Sequence, residues 1–152
     1  MSKGTLHLLP ITLGEYNMDI AVPLGVQRVM DEVEVFVVEN LKTTRRYLRK
    51  VNPSYPIDDK EIFVIDKRTS RKELSQFIHQ HKDKNIGVMS EAGCPGIADP
   101  GAEVVEIAHE LNIQVKPFVG PSSILLALIA SGKNGQHFTF NGYLPKDRAE
   151  RV

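Results

Sequence analysis

Short apolar runs alternate with amphipathic segments along most of the chain. Leu6–Leu9, Val33–Val38, Ile62–Ile65, Ile86–Met89 and Ile113–Val119 have strand length. Most are continuously apolar, as strands covered on both faces of a parallel sheet are. Helix signals lie between them. Ser70–Glu73 reads "SRKE", a capping box, followed by Leu74, Phe77 and Ile78 as an apolar face. Asp99–Pro100 offers an N-cap with proline at the first helical position, and Val104, Ile107, Ala108 and Leu111 form a stripe behind it. Such β/α alternation with short connections predicts a doubly wound α/β domain, a mostly parallel five-stranded sheet with helices on both faces, ending near Val119.

The texture then changes. "GPSSILLALIASG" predicts a turn, hydroxyl caps and a short, very apolar helix ending at Gly132. "HFTFNGYLP" alternates like a strand, with Phe138 and Phe140 on one face. The polar "KDRAERV" follows, with nothing to cover that strand. One helix and one strand do not make a domain, so they either complete the first domain or open a second.

Composition narrows the classes. A chain of 152 residues that is 41% hydrophobic can bury a core. Lys plus Arg and Asp plus Glu each number 19, so no global field draws it to nucleic acid or membrane; such binding needs a local patch. A single cysteine excludes an internal disulfide and suits a reducing compartment. The start "MSKGTLHLLPITLGEY" reads as a first strand rather than a signal peptide, so a soluble cytoplasmic protein is expected.

The densest candidate chemistry is Ser90–Gly101, "SEAGCPGIADPG", at the carboxyl end of the fourth strand. Ligands of open α/β sheets collect at that edge, and glycines let backbone approach them closely. A plain βα turn needing glycine for its dihedrals is equally open at this point. The loop is no P-loop, and the chain contains no GxGxxG. No basic neighbour in sequence activates Cys94, which reads as a small filler. His7, His79, His81, His109 and His137 are scattered and predict no metal site. "GPSS" at Gly120–Ser123 opens a helix, either as a simple cap or as free amides for an acceptor group. Lys42, Arg45, Arg46 and Arg49 fall at i, i+3, i+4 and i+7 on one helical face, opposite Leu41, Thr44, Leu48 and Val51. The stripe is either a solvated face or a track for a phosphate backbone.

Together, "VMSEAGCPGIADPG", "VKPFVGPSSILLALIASG" and "FTFNGYLP" with "DRAERV" resemble the signature series of the tetrapyrrole methylase superfamily. Within it they are most similar to the branch of ribosomal RNA small subunit methyltransferase I. That branch reads S-D-A-G-x-P-x-I-S-D-P-G, then P-G-P-S-A with A-L-x-x-S-G, then F-x-F-x-G-F-L-P. The resemblance spans most of 86–150. It departs in the first loop, "LPITLGEYNMD" for A-T-P-I-G-N-L, and after the second strand, where "ENLK" replaces E-D-T-R but keeps Glu39.

The resemblance implies an S-adenosylmethionine-dependent methyltransferase, commonly a homodimer, with the cofactor between two α/β domains. Residues 1–118 would then be the N-terminal domain and 119–152 the beginning of a truncated second one, and the 152-residue chain alone would hold cofactor weakly or not at all. Carried over by motif, cofactor contacts fall on Leu13, on Cys94 and Ile97, and on Ser122 and Ser123, with Pro10, Gly93 and Pro95 shaping the walls. Cys94 stands where many relatives carry aspartate, so contacts there would rely on backbone groups. The expected acceptor is a ribose 2′-hydroxyl of small-subunit ribosomal RNA, with Lys42, Arg45, Arg46 and Arg49 facing the RNA. Removing the hydroxyl proton needs a base, for which Glu39 is the candidate carboxylate. A tetrapyrrole-precursor methylase and a non-catalytic cofactor- or RNA-binding member are the alternatives.

Overall fold

In the computed structural model, which describes residues 4–14, 18–145 and 147–151, five parallel strands form one sheet in the order β3-β2-β4-β1-β5. They are β1 (Thr5–Leu8), β2 (Val35–Val38), β3 (Glu61–Val64), β4 (Ile86–Met89) and β5 (Gln114–Pro117). The sheet is thus parallel throughout, beyond the mostly parallel one expected. Two strands are shorter than their apolar runs for identifiable reasons. The N–H of Val33 is taken by Met30 O in a 3-10 turn, and that of Ile113 by Ala108 O at a helix end, so neither joins the ladder.

The helices α1 (Met18–Ala21), α2 (Leu24–Val29), α3 (Leu41–Val51), α4 (Arg71–Gln80) and α5 (Gly101–Glu110) connect the strands. Their apolar faces decide the layering. Val26 of α2 and Tyr47 and Leu48 of α3 pack with Leu9, Phe36, Val38 and Met89 in one core. Leu74 and Ile78 of α4 and Val104, Ile107 and Ala108 of α5 pack with Leu6, Val35, Val37 and Val88 in another. The alternation of side chains along β2 sends Phe36 and Val38 to one face and Val35 and Val37 to the other.

Local signals fix the helix starts. Ser70 and Glu73 exchange both bonds of the capping box. Asn40 caps α3, its side chain accepting the Thr43 N–H at 3.1 Å. At α5 Pro100 is already α-helical, and Asp99 Oδ1 accepts the Gly101 N–H at 2.7 Å, the bond expected of an N-cap aspartate. One buried group is unusual. His7 on β1 is buried and its ring stacks on Phe118. Burial holds its imidazole below the ordinary range, outweighing the Asn85 side chain, which acts in the opposite sense.

The chain divides into two compact units, Met1–Ser122 and Ser123–Val152. In the second, α6 (Ser123–Ser131) forms and stops before Gly132, whose φ of 65° is the left-handed conformation of a helix end. The strand expected over "HFTFNGYLP" does not form. A strand needs a ladder partner, and no described residue of this unit supplies one. Phe138 and Phe140 are exposed instead, Phe140 edge-on to Tyr143. No helix among the described residues is long and apolar enough to cross a membrane.

Candidate functional site

β1 and β4 lie side by side, yet the chain leaves them in opposite senses, toward β2 from one and toward β5 from the other. Such a switch point opens a crevice beyond the strand ends. Three loops meet there: residues 9–14 after β1, 90–100 after β4, and 118–122 after β5. Ile11 N–H donates to Gly93 O at 3.0 Å, and Cys94 Sγ donates to Pro121 O at 3.4 Å. Tyr47 of α3 reaches in, its hydroxyl donating to Pro10 O at 3.4 Å. Burial pushes that phenol above its ordinary range, so it remains a donor.

Two glycines make this junction possible. A Cβ on Gly120 would lie 2.1 Å from Pro10 Cβ and 3.2 Å from Cys94 Sγ. One on Gly93 would meet Pro121 O at 2.9 Å, and Gly93 has a φ of 73° besides. Asp99 shapes the rest of the β4 loop. Its Oδ1 accepts from both Gly96 N at 2.8 Å and Gly101 N at 2.7 Å, tying the loop's turn to the start of α5. Ala98 takes a left-handed φ of 60° within that turn. Burial and the nearby Asp99 both raise the Cys94 thiol, so it is a weak nucleophile in this setting.

Two clefts open around the junction. One, about 480 Å³, is apolar and lined by Leu8, Cys94–Ile97, Ala102, Val105, Pro117 and Phe118. The other, about 460 Å³, is the more polar of the two, with Thr12, Thr43, Arg46, Lys50 and Glu91 beside Ile11, Leu13, Tyr47 and Ala92. Both lie in the range of small-ligand sites.

The expected residues distribute as follows. Cys94, Pro95 and Ile97 line the apolar cleft; Leu13 lines the polar one. Pro10 and Gly93 are buried in the junction, and Ser122 is buried beside it in sequence. Ser123 is exposed as the first residue of α6 in the second unit. Lys42, Arg45, Arg46 and Arg49 are all exposed on α3, but they do not act as one stripe. Arg45 and Arg49 pair with Asp58 at 3.3 and 3.2 Å, whereas Arg46 borders the polar cleft. Glu39 is tied into the scaffold: its Oε2 accepts the Glu91 N–H at 3.1 Å. Asn40 Nδ2 donates to Glu91 Oε1 at 2.7 Å, so the second-strand motif holds the start of the β4 loop from both sides. Lys50 and Phe118 were not expected. Lys50 sits one turn beyond Arg46 on the same helix face, and Phe118 is the first residue after β5; the first follows from helical periodicity and the second from where the strand ends.

No protein-family model matches the chain. Curated relatives do. It is 30% identical over 141 residues to ribosomal RNA small subunit methyltransferase I of Synechocystis sp., covering 93% of this chain and 48% of that protein. Identity is also 30% to the proteins of the same name from Pseudomonas aeruginosa, over 99% of this chain and 51% of that one, and from Helicobacter pylori, over 96% and 53%. The chain therefore spans about half the length of the curated relatives it matches. Among solved structures, the methyltransferase CobJ shares the fold with a TM-score of 0.60 at 16% identity, covering 96% of this chain and 58% of that one.

Proposed function

Because the chain belongs to the tetrapyrrole methylase superfamily, we propose that it is part of an S-adenosylmethionine-dependent methyltransferase acting on a ribose 2′-hydroxyl of small-subunit ribosomal RNA. The observation that carries this reading is the convergence of the three loops after β1, β4 and β5 on one glycine-constrained junction beside an apolar cleft. That arrangement suits a cofactor whose flat adenine packs on apolar surface while its polar groups meet loop backbone. Where an aspartate-bearing relative would use a carboxylate, this loop has the backbone groups around Cys94 and the apolar surface of Ile97.

When bound, S-adenosylmethionine supplies an electrophilic methyl group. The chain's contribution is alignment: Pro10, Gly93 and Gly120 fix the spacing of the loops, and Cys94, Pro95 and Ile97 exclude water from one side. Correct placement of nucleophile and methyl can supply about 7–11 kcal/mol of the barrier in favourable cases. Leu13 and the serines at 122 and 123 are assigned to the cofactor's remaining contacts. Glu39 is assigned a positioning role, since its carboxylate is engaged with the Glu91 amide.

We assign residues 1–118 to the cofactor-binding domain and 119–152 to the opening of a second. Two facts support this. α6 is apolar on all sides, yet none of its residues is buried; and the relatives are about twice as long as the matched region. The remainder of that second domain would cover α6 and the Phe138–Phe140 segment. A cytoplasmic homodimer is proposed on the same resemblance. The test is transfer of labelled methyl from S-adenosylmethionine to undermodified small ribosomal subunits by the full-length protein. Incorporation into ribosomal RNA is expected. No incorporation with cofactor bound would favour a tetrapyrrole acceptor or a non-catalytic member.

A further inference from the structure

The side-chain amide of Asn40 is used at both ends. Its Oδ1 accepts the Thr43 N–H at 3.1 Å and so caps α3, while its Nδ2 donates to Glu91 Oε1 at 2.7 Å. An amide offers an acceptor and a donor on the same carbon; an ionised carboxylate in its place offers acceptors alone. Glu91, the second residue of the β4 loop, is held by its main chain as well, its N–H donating to Glu39 Oε2 at 3.1 Å. The Glu39 N–H in turn donates at 3.2 Å to the carbonyl of Met89, the last residue of β4. Two residues beyond Glu91, Gly93 enters the junction, its carbonyl accepting the Ile11 N–H. The same helix reaches the β1 loop through Tyr47, whose hydroxyl donates to Pro10 O. Hence α3 is fastened to two of the three loops that meet at the junction.

We propose that Asn40 is a positioning residue for the methyl-donor site, with Glu91 as its partner: their bond sets where the β4 loop leaves the sheet, and it requires an amide at position 40. The inference rests on the methyltransferase reading above and adds to it a residue that acts through the loop. From the β4 loop, the lining of the apolar cleft begins at Cys94, three positions beyond Glu91. A displaced Glu91 therefore shifts the backbone that leads to Cys94 through Ala92 and Gly93. Asn40→Asp isolates the requirement. Aspartate keeps the cap on Thr43, because aspartate and asparagine cap helices about equally well. It also sets one carboxylate against another across the hydrogen-bond distance to Glu91, where like charges repel. The exposure of the pair keeps that effect modest. Glu39 on the Glu91 amide, and Arg46 and Lys50 on the cleft that Glu91 lines, are common to the wild-type and variant proteins, so their charges cancel in the comparison.

The test is calorimetry of S-adenosylmethionine binding to the full-length protein at about pH 8 and about pH 5, with amide exchange of the cofactor-free protein beside it. At the higher pH, Asn40→Asp is expected to weaken binding about fivefold relative to wild type and to speed exchange at Glu91–Cys94. At the lower pH the difference should shrink to less than about twofold, because a proton shared by the two carboxylates restores a donor. The double variant Asn40→Asp/Glu91→Gln should bind within about twofold of wild type at both, since the donor then comes from position 91 and the acceptor from position 40. Wild-type affinity in Asn40→Asp at the higher pH would overturn the proposal. Faster loop exchange at wild-type affinity would overturn it too, by separating the latch from the donor site. A loss of affinity or of melting temperature that neither the second substitution nor acid restores would overturn it by assigning Asn40 to the fold alone. Absence of cofactor binding in the wild-type protein would instead refute the methyltransferase reading, and this assignment with it.

Discussion

Gly120→Ala in the full-length protein is expected to weaken S-adenosylmethionine binding more than about tenfold and to lower methyl transfer about a hundredfold. The added Cβ would lie 2.1 Å from Pro10 Cβ and 2.6 Å from Pro10 Cγ. Proline has no side-chain rotamer with which to retreat, and Pro10 is buried with its carbonyl held by Tyr47. The β1 and β5 loops must therefore part by roughly an ångström or more to reach ordinary contact. Overpacking of this kind costs about 1–3 kcal/mol, and a displacement of about 1 Å can cost about a hundredfold in rate. Calorimetry reads the affinity and thermal melting the stability. Gly25→Ala on α2 is the control: a Cβ there meets nothing within 4 Å, so binding and melting should stay near wild type. Wild-type affinity in Gly120→Ala would mean that the junction does not set the cofactor's seat.

Asp99→Ala is the second large effect. One carboxylate oxygen serves two amides, Gly96 N at 2.8 Å and Gly101 N at 2.7 Å. Bonds to a charged acceptor contribute about 1.5–3 kcal/mol each when buried. Asp99 is only half-buried, so about 2–3 kcal/mol in total is expected. The loop also loses its clamp, because Gly96 at a φ of 89° has no side chain to hold it. Cofactor affinity should fall together with stability. Asp99→Asn keeps an oxygen acceptor in place and should recover most of both. Failure of Asn to recover either quantity would assign Asp99 to charge alone; wild-type stability in Asp99→Ala would refute the clamp.

Much of this architecture was legible in the residues. The apolar runs marked all five strands, and "SRKE" marked a helix start that the structure reproduces bond for bond. What sequence order cannot give is which strands are neighbours: β1 and β4 are 80 residues apart at the Leu6–Ile86 pairing, and only that juxtaposition brings Pro10, Cys94 and Gly120 together. The basic stripe illustrates the same limit. Helical periodicity put Arg45, Arg46 and Arg49 on one face, but the position of Asp58, set by the turn before β3, decides which of them turn away from the cleft. Lys50 escaped a reading based on one angular sector for the same reason. "HFTFNGYLP" shows the opposite error, since alternation marks a segment able to pair and does not provide the partner.

The most direct measurement of the central claim is amide hydrogen exchange of the full-length protein with and without S-adenosylmethionine. The account predicts slowed exchange on binding in Gly93–Ile97 and in 118–122, apart from Pro95 and Pro121, with α4 (Arg71–Gln80) unchanged. Cofactor binding that protects other segments and leaves both loops exchanging as before would contradict it.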